Sequence, residues 1–166
     1  VNLFLEISSI KEVIVAINPN EHLIKSQSFY NDERVRLVEG GSTRSESVFN
    51  ALIEVDQSIE IIVIHDAARP WLRRSHFEDL LHQLTNDQSV AGIFPIIPAT
   101  DSLRMKKDED LIPVEREHFL HVQTPQIFYY ESLKEAFNKL KKEDFYMSDE
   151  SQVMEYAGFK LLAAPG

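Results

Sequence analysis

Three groups able to do polar chemistry, an imidazole, a carboxylate and a guanidinium, stand together in His65-Asp66-Ala67-Ala68-Arg69-Pro70, directly after a β-branched run at 59–64. In an open α/β sheet, groups at the carboxyl end of a strand face the ligand crevice, and the two alanines leave room there. Asp66 is a hard oxygen donor suited to a divalent cation that bridges phosphates, with Arg69 as its basic neighbour. A plainer reading is that Asp66 and Arg69 only pair with each other across the turn. A second candidate is Gly40-Gly41-Ser42-Thr43-Arg44-Ser45-Glu46-Ser47. Its glycines let a ligand approach the backbone, the helix start offers N–H groups to an anion, and Arg44 and Ser47 add donors. The same residues also read as a turn closed by a capping box from Thr43 to Glu46.

Two further places are weaker alone. Thr124-Pro125-Gln126 sets a hydroxyl and an amide beside a turn-fixing proline. The polar stretch 98–122 carries Asp101-Ser102-Leu103-Arg104 on one limb and Glu115-Arg116 on the other, a set able to grip a phosphate or simply to form a solvated hairpin. The chain has no cysteine, and His118 and His121 lack any further ligand at zinc spacing, so Asp66 is the one metal ligand expected. No Gly-x-Ser-x-Gly elbow, Walker loop or Gly-x-Gly-x-x-Gly is present, which removes serine hydrolase, P-loop and dinucleotide readings.

The elements that must position these groups follow from periodicity. Strands are expected at 12–17, 34–38, 59–64, 89–97 and 159–164, the third buried on both faces. Helices are expected behind Gly41, from a Ser75–Glu78 capping box through Phe77, Leu80, Leu81 and Leu84, around Leu133 to Leu140, and from Ser148 to Ala157 with Gly158 as its terminator. Alternating strands and helices predict an α/β fold with a mostly parallel open sheet. Residues 98–122 have no helical period and are expected to project as a long loop or β-arm.

With 166 residues the chain is expected to form a single domain. Its 17 basic and 27 acidic residues give a net charge of −10, which opposes nucleic acid as a partner. Apolar runs are too short for a membrane helix and no signal segment is visible, so a cytoplasmic setting without membrane partners is expected.

Taken in order, Gly40-Gly41-x-x-Arg44-x-x-Ser47-Val48, His65-Asp66-Ala67-Ala68-Arg69-Pro70, Asp101-Ser102, Glu115-Arg116, Thr124-Pro125-Gln126 and Ser148-Asp149-Glu150 resemble the sugar-alcohol-phosphate cytidylyltransferases. Within them the 2-C-methyl-D-erythritol 4-phosphate branch is more similar than the ribitol 5-phosphate branch. A different class, a non-catalytic nucleotide-binding or dimerising remnant, stays open. The resemblance implies a Rossmann-like nucleotidyltransferase fold of the GT-A type and transfer of CMP from CTP to a polyol phosphate, with Mg²⁺ as counter-ion. It implies that Gly40, Gly41, Arg44, Ser47 and Asp66 bind the nucleotide and that Ser102, Arg116 and Thr124 bind the acceptor. Asp66, Arg69 and Arg116 are the implied catalytic set, and the arm 98–122 is implied to cross to a partner subunit in a homodimer. The family's glycine-rich Ala-Ala-Gly-x-Gly-x-Arg loop and its later Asn-x-Lys-x-Thr segment have no counterpart here. The chain is therefore expected to be the middle of such an enzyme, with little activity from these 166 residues alone.

Overall fold

The computed structural model describes residues 1–140 and 148–166. The elements are α1 (Asn2–Leu5), β1 (Val13–Ile17), β2 (Val35–Glu39), α2 (Arg44–Leu52), β3 (Ile61–Ile64), α3 (Arg74–Asn86), β4 (Gly92–Pro98), β5 (Leu103–Lys107), β6 (Asp110–Val114), β7 (Leu120–Val122), β8 (Gln126–Tyr129), α4 (Tyr130–Leu140), α5 (Glu150–Tyr156) and β9 (Leu161–Pro165). By packing they fall into two compact units, Val1–Ile62 with Tyr129–Phe159, and Val63–Phe128 with Lys160–Gly166.

In the first unit β1 and β2 pair in parallel, Val13 opposite Val35 through Ile17 opposite Glu39. The Gly40 N–H extends that ladder by donating to the Ile17 carbonyl at 2.8 Å. A Cβ on Gly40 would stand 3.2 Å from Ser47 Oγ, and one on Gly41 would collide with the Glu46 side chain. Only glycine therefore lets the chain turn this tightly from β2 into α2. The core of this unit is Leu52, Leu133, Ala136, Phe137, Val153 and Met154, with the rings of Phe49 and Phe137 5.7 Å apart. α5 ends as its Gly158 demands. That residue has φ +89°, and its N–H and that of Phe159 return to the carbonyls of Glu155 and Met154, the paired bonds that close a helix over a left-handed residue.

In the second unit a five-stranded sheet runs in the order β3-β8-β4-β7, with β9 also paired to β4. The α/β class holds, with mixed pairing: β9 is parallel to β4, while β7 and β8 are antiparallel to it. β8 is a strand the sequence conceals, because Gln-Ile-Phe-Tyr passes into α4 without a turn residue. β3 is half-buried along its length rather than covered on both faces, as suits the strand at one end of the order. α3 begins at Arg74 with Arg73 as an extended N-cap and no side-chain cap. Ser75 thus lies inside the first turn, past the capping position, and Glu78 is taken by Arg74 Nε at 2.8 Å. The helix buries Phe77, Leu80 and Leu84.

β7 and β8 run along one edge of β4 in two registers. Ile96 faces Val122 and Ile93 faces Ile127, so Phe94 and Pro95 stand opposite the four residues 123–126. Thr124 and Pro125 are the excess, a two-residue bulge. Pro95 lacks the N–H that an unbroken ladder would use here, and its carbonyl takes the Gln123 N–H at 2.8 Å. The arm is a hairpin: β5 and β6 pair from Leu103 opposite Val114 to Lys107 opposite Asp110, turning at Asp108, whose φ is 52°. β7 returns the chain to the sheet.

Candidate active site

The glycine loop keeps its polar groups to itself. Gly41 N–H donates to Ser47 Oγ at 3.0 Å, and Ser47 Oγ donates to the Thr43 carbonyl at 2.9 Å. Thr43 Oγ1 accepts the Glu46 N–H at 3.1 Å, so the expected cap forms. Glu46 Oε2 reaches one residue further than the capping box requires, accepting from Ser42 N–H at 2.7 Å and from Ser42 Oγ at 2.6 Å. The Ser42 hydroxyl and backbone hold the Glu46 carboxyl below its ordinary value. The N–H groups of Gly41, Ser42 and Glu46, expected to be offered to an anion, are thus spent inside the loop, and that of Gly40 on the β1 ladder.

Arg44 is also engaged within its own unit. Its Nη1 donates to both carboxylate oxygens of Glu150 at 2.8 Å, with the Glu150 side chain fully buried and Arg44 one-third exposed. Burial pushes the Glu150 carboxyl up from its ordinary value, and the Arg44 charge opposes that shift. Glu150 is positioned by the first turn of α5, which Asp149 caps by accepting the Gln152 N–H at 3.1 Å. No local signal marks this acid as buried, since its partner lies 106 residues away.

In the second unit the exit of β3 meets the bulge before β8. Thr124 Oγ1 accepts the Asp66 N–H at 3.0 Å and stands 3.1 Å from His65 Nδ1. His65 Nε2 lies 2.9 Å from the Arg69 carbonyl, and Arg69 N–H closes the turn onto the Asp66 carbonyl at 3.0 Å. Arg69 Nε faces Asp66 Oδ2 at 3.4 Å, both side chains partly exposed. Burial holds the His65 imidazole below its ordinary range, opposed by the Arg69 carbonyl. So His65, Asp66, Arg69 and Thr124 are brought together, while Arg116 sits at the base of the arm. There its Nη1 donates to the Thr100 carbonyl at 2.6 Å, tying the two limbs. Ser102 is exposed just before β5.

Among the described residues no three His, Asp or Glu side chains converge as a metal cage. Magnesium does not need one, since it keeps its waters and is bound by one or two carboxylates together with substrate phosphates. The partly exposed Asp66 carboxylate fits that mode.

The fold is that of the nucleotidyltransferases. The crystal structure of 2-C-methyl-D-erythritol 4-phosphate cytidylyltransferase from Thermus thermophilus superposes with TM-score 0.82 at 26% identity, over 99% of this chain and 75% of that one. The sequence pattern of the 2-C-methyl-D-erythritol 4-phosphate cytidylyltransferase family matches residues 1–166, and the chain belongs to that family. The enzyme of that name from Blochmanniella pennsylvanica is 37% identical over 169 residues, covering 99% of this chain and 70% of its own length. The one from Haemophilus ducreyi is 35% identical, covering 96% and 69%.

Proposed function

We propose that this chain transfers CMP from CTP to 2-C-methyl-D-erythritol 4-phosphate and releases pyrophosphate. The observation that carries the reading is the match to that family from end to end of the chain. A phosphate oxygen of the acceptor forms a bond to the α-phosphorus of CTP, and the bond from that phosphorus to the bridging oxygen breaks, the electron pair leaving with pyrophosphate. Two anions must be brought into line, so positioning and charge neutralisation supply most of the rate and no protein nucleophile is required. Bound Mg²⁺ would neutralise phosphate charge, with Asp66 as its protein ligand and Arg69 at its side. Gly40, Gly41, Arg44 and Ser47 are the proposed nucleotide set; Ser102, Arg116 and Thr124 are the proposed acceptor set, Thr124 acting through the Asp66–Arg69 turn it is bonded to and not by a direct bond to the phosphate. In the nucleotide set, the hydrogen bonds above favour a shape-giving role for Ser47 and Arg44 over direct donation.

A homodimer through the arm belongs to the same proposal. Met105 and its cross-strand partner Ile112 are 50% and 37% exposed on one face of the arm, apolar surface that a second copy would cover. A cytoplasmic setting is in keeping with a cysteine-free composition.

The test is pyrophosphate release by the protein with Mg²⁺, comparing CTP with UTP and ATP, and 2-C-methyl-D-erythritol 4-phosphate with ribitol 5-phosphate. The reading expects CTP and the methylerythritol acceptor to be preferred; equal turnover with all three nucleotides, or preference for ribitol 5-phosphate, would sink it. For the arm, Arg116→Ala subunits are mixed with Asp66→Asn subunits. Recovery of activity in verified mixed dimers is the result expected of an arm acting in trans, and none counts against it.

A further inference from the structure

We propose that His65 is a positioning residue for the transfer: its ring closes a hydrogen-bonded clasp that runs from the backbone of Asp66 through the Thr124 hydroxyl to the backbone of Arg69. The transfer role rests on the reading above; the clasp itself does not.

The direction of every bond in the clasp is fixed by what each group can do. A carbonyl oxygen only accepts, so His65 Nε2, 2.9 Å from the Arg69 carbonyl, carries the proton. In the neutral ring Nδ1 is then an acceptor, and the group 3.1 Å from it, Thr124 Oγ1, donates. Thr124 Oγ1 in turn accepts the Asp66 N–H at 3.0 Å. The relay therefore reads Asp66 N–H to Thr124 Oγ, Thr124 O–H to His65 Nδ1, His65 Nε2–H to Arg69 O. Inside it, Arg69 N–H bonds the Asp66 carbonyl at 3.0 Å, so the turn is tied twice. Chains in which each donor is also an acceptor polarise one another, so loss of any member loosens the rest.

This has a consequence for Thr124. A hydroxyl has one proton, and here His65 takes it. With the clasp closed, Thr124 can accept one more bond but cannot donate to a phosphate oxygen. Its contribution passes through Asp66 and Arg69, whose carboxylate and guanidinium are aimed by the turn that the clasp holds. The bulge beside Pro95 is what turns Thr124 toward His65, a residue 59 positions earlier.

The first arm of the experiment needs no turnover. In ¹⁵N-labelled protein the His65 ring is expected in the Nε2–H form, with the Asp66 amide protected from exchange. Thr124→Val and His65→Ala should each speed that exchange at least about tenfold, and the double variant should be no faster than either by more than about twofold, because all three break one unit. Thr124→Ser should restore protection. The second arm measures kcat and each KM in the same set. The clasp predicts a common fall in kcat of about tenfold or more, non-additive in the double variant and rescued by Thr124→Ser, with both KM values little changed. If His65→Ala does not fold, His65→Asn, which keeps an acceptor near the Nδ1 position, still pairs with Thr124→Val.

An Nδ1–H ring, additive effects, or a Thr124→Val change confined to acceptor KM with His65→Ala silent would overturn the proposal. Wild-type protein that binds CTP but releases no pyrophosphate would defeat the transferase reading instead, and the exchange arm would still decide the clasp.

Discussion

The glycine loop and the β3 exit each gather a ring of polar groups, but they do so at different sequence distance. In the ring formed by Gly41, Ser42, Thr43, Glu46 and Ser47 the bonds join residues within six positions of one another, Gly41 to Ser47 being the longest. At the β3 exit Asp66 is bonded locally to Arg69 but is also tied to Thr124, 58 residues away. A short-range ring forms with its helix and loses little when the rest of the molecule changes. A long-range ring exists only when strand, bulge and turn are all in place, and so it reports on the whole unit that carries it.

The largest effect that separates the two regions is expected from Asp66→Asn. Asparagine keeps the backbone N–H that binds Thr124, so the melting temperature should be unchanged while Mg²⁺-dependent pyrophosphate release falls about 10²- to 10³-fold, the scale of losing one well-aimed electrostatic group. A matching loss of melting temperature would mean that the side chain, and not only the backbone, holds the turn.

Next in size is Arg44→Ala, which leaves the buried Glu150 carboxylate without its cation. Removing one partner of a buried pair costs on the order of 3 kcal/mol at neutral pH. The Glu150 pKa lies above its ordinary value of 4.5 in the folded protein, so ionising it in place costs stability as pH rises through the folded value. Without Arg44 that value rises further. The penalty of Arg44→Ala should thus shrink toward pH 4.5 and grow above it, as denaturant titrations at several pH values would show. A penalty independent of pH would mean that Glu150 stays protonated throughout.

Gly41→Ala is expected to cost about 1 to 2 kcal/mol, since the new Cβ must displace the Glu46 stem and with it the Ser42 contacts. Thermal unfolding checks the value. Affinity for CTP should fall in the same variant; unchanged stability with lost CTP binding would show that the glycine is kept for the ligand and not for the turn.

The smallest effect belongs to Glu46→Gln. Glu46 titrates below 4.5 in the folded protein because Ser42 donates to the carboxylate. Its stabilisation is therefore complete above pH 4.5 and fades as pH falls through the folded value. Glu46→Gln should flatten that part of the acid unfolding curve, and an unaltered curve would count against the cap as its source.

Local sequence signals follow the same division. The Thr43 cap, the glycine turn, the Gly158 terminator and the apolar faces of α3 and α4 are written in spacings of a few residues, and each formed where expected. Ser75 and Glu78 have a capping spacing too, yet α3 starts elsewhere. There Glu78 pairs with Arg74 instead of closing a box with Ser75, and Ser75 lies inside the first turn. β8 escaped because nothing local separates it from α4.

By itself the sequence determined the family and the reaction it points to, because the motifs around Gly40, Asp66 and Thr124 fall in one order along one chain. It also determined which side chains are polar at strand ends. Only the tertiary structure decided what those side chains do there. It placed a bulge opposite Pro95 that turns Thr124 onto His65, and it brought Glu150 under Arg44. Those partners are 59 and 106 residues apart, and a hydrogen bond of about 3 Å between such residues depends on every intervening element having packed, a condition that no short stretch of sequence expresses.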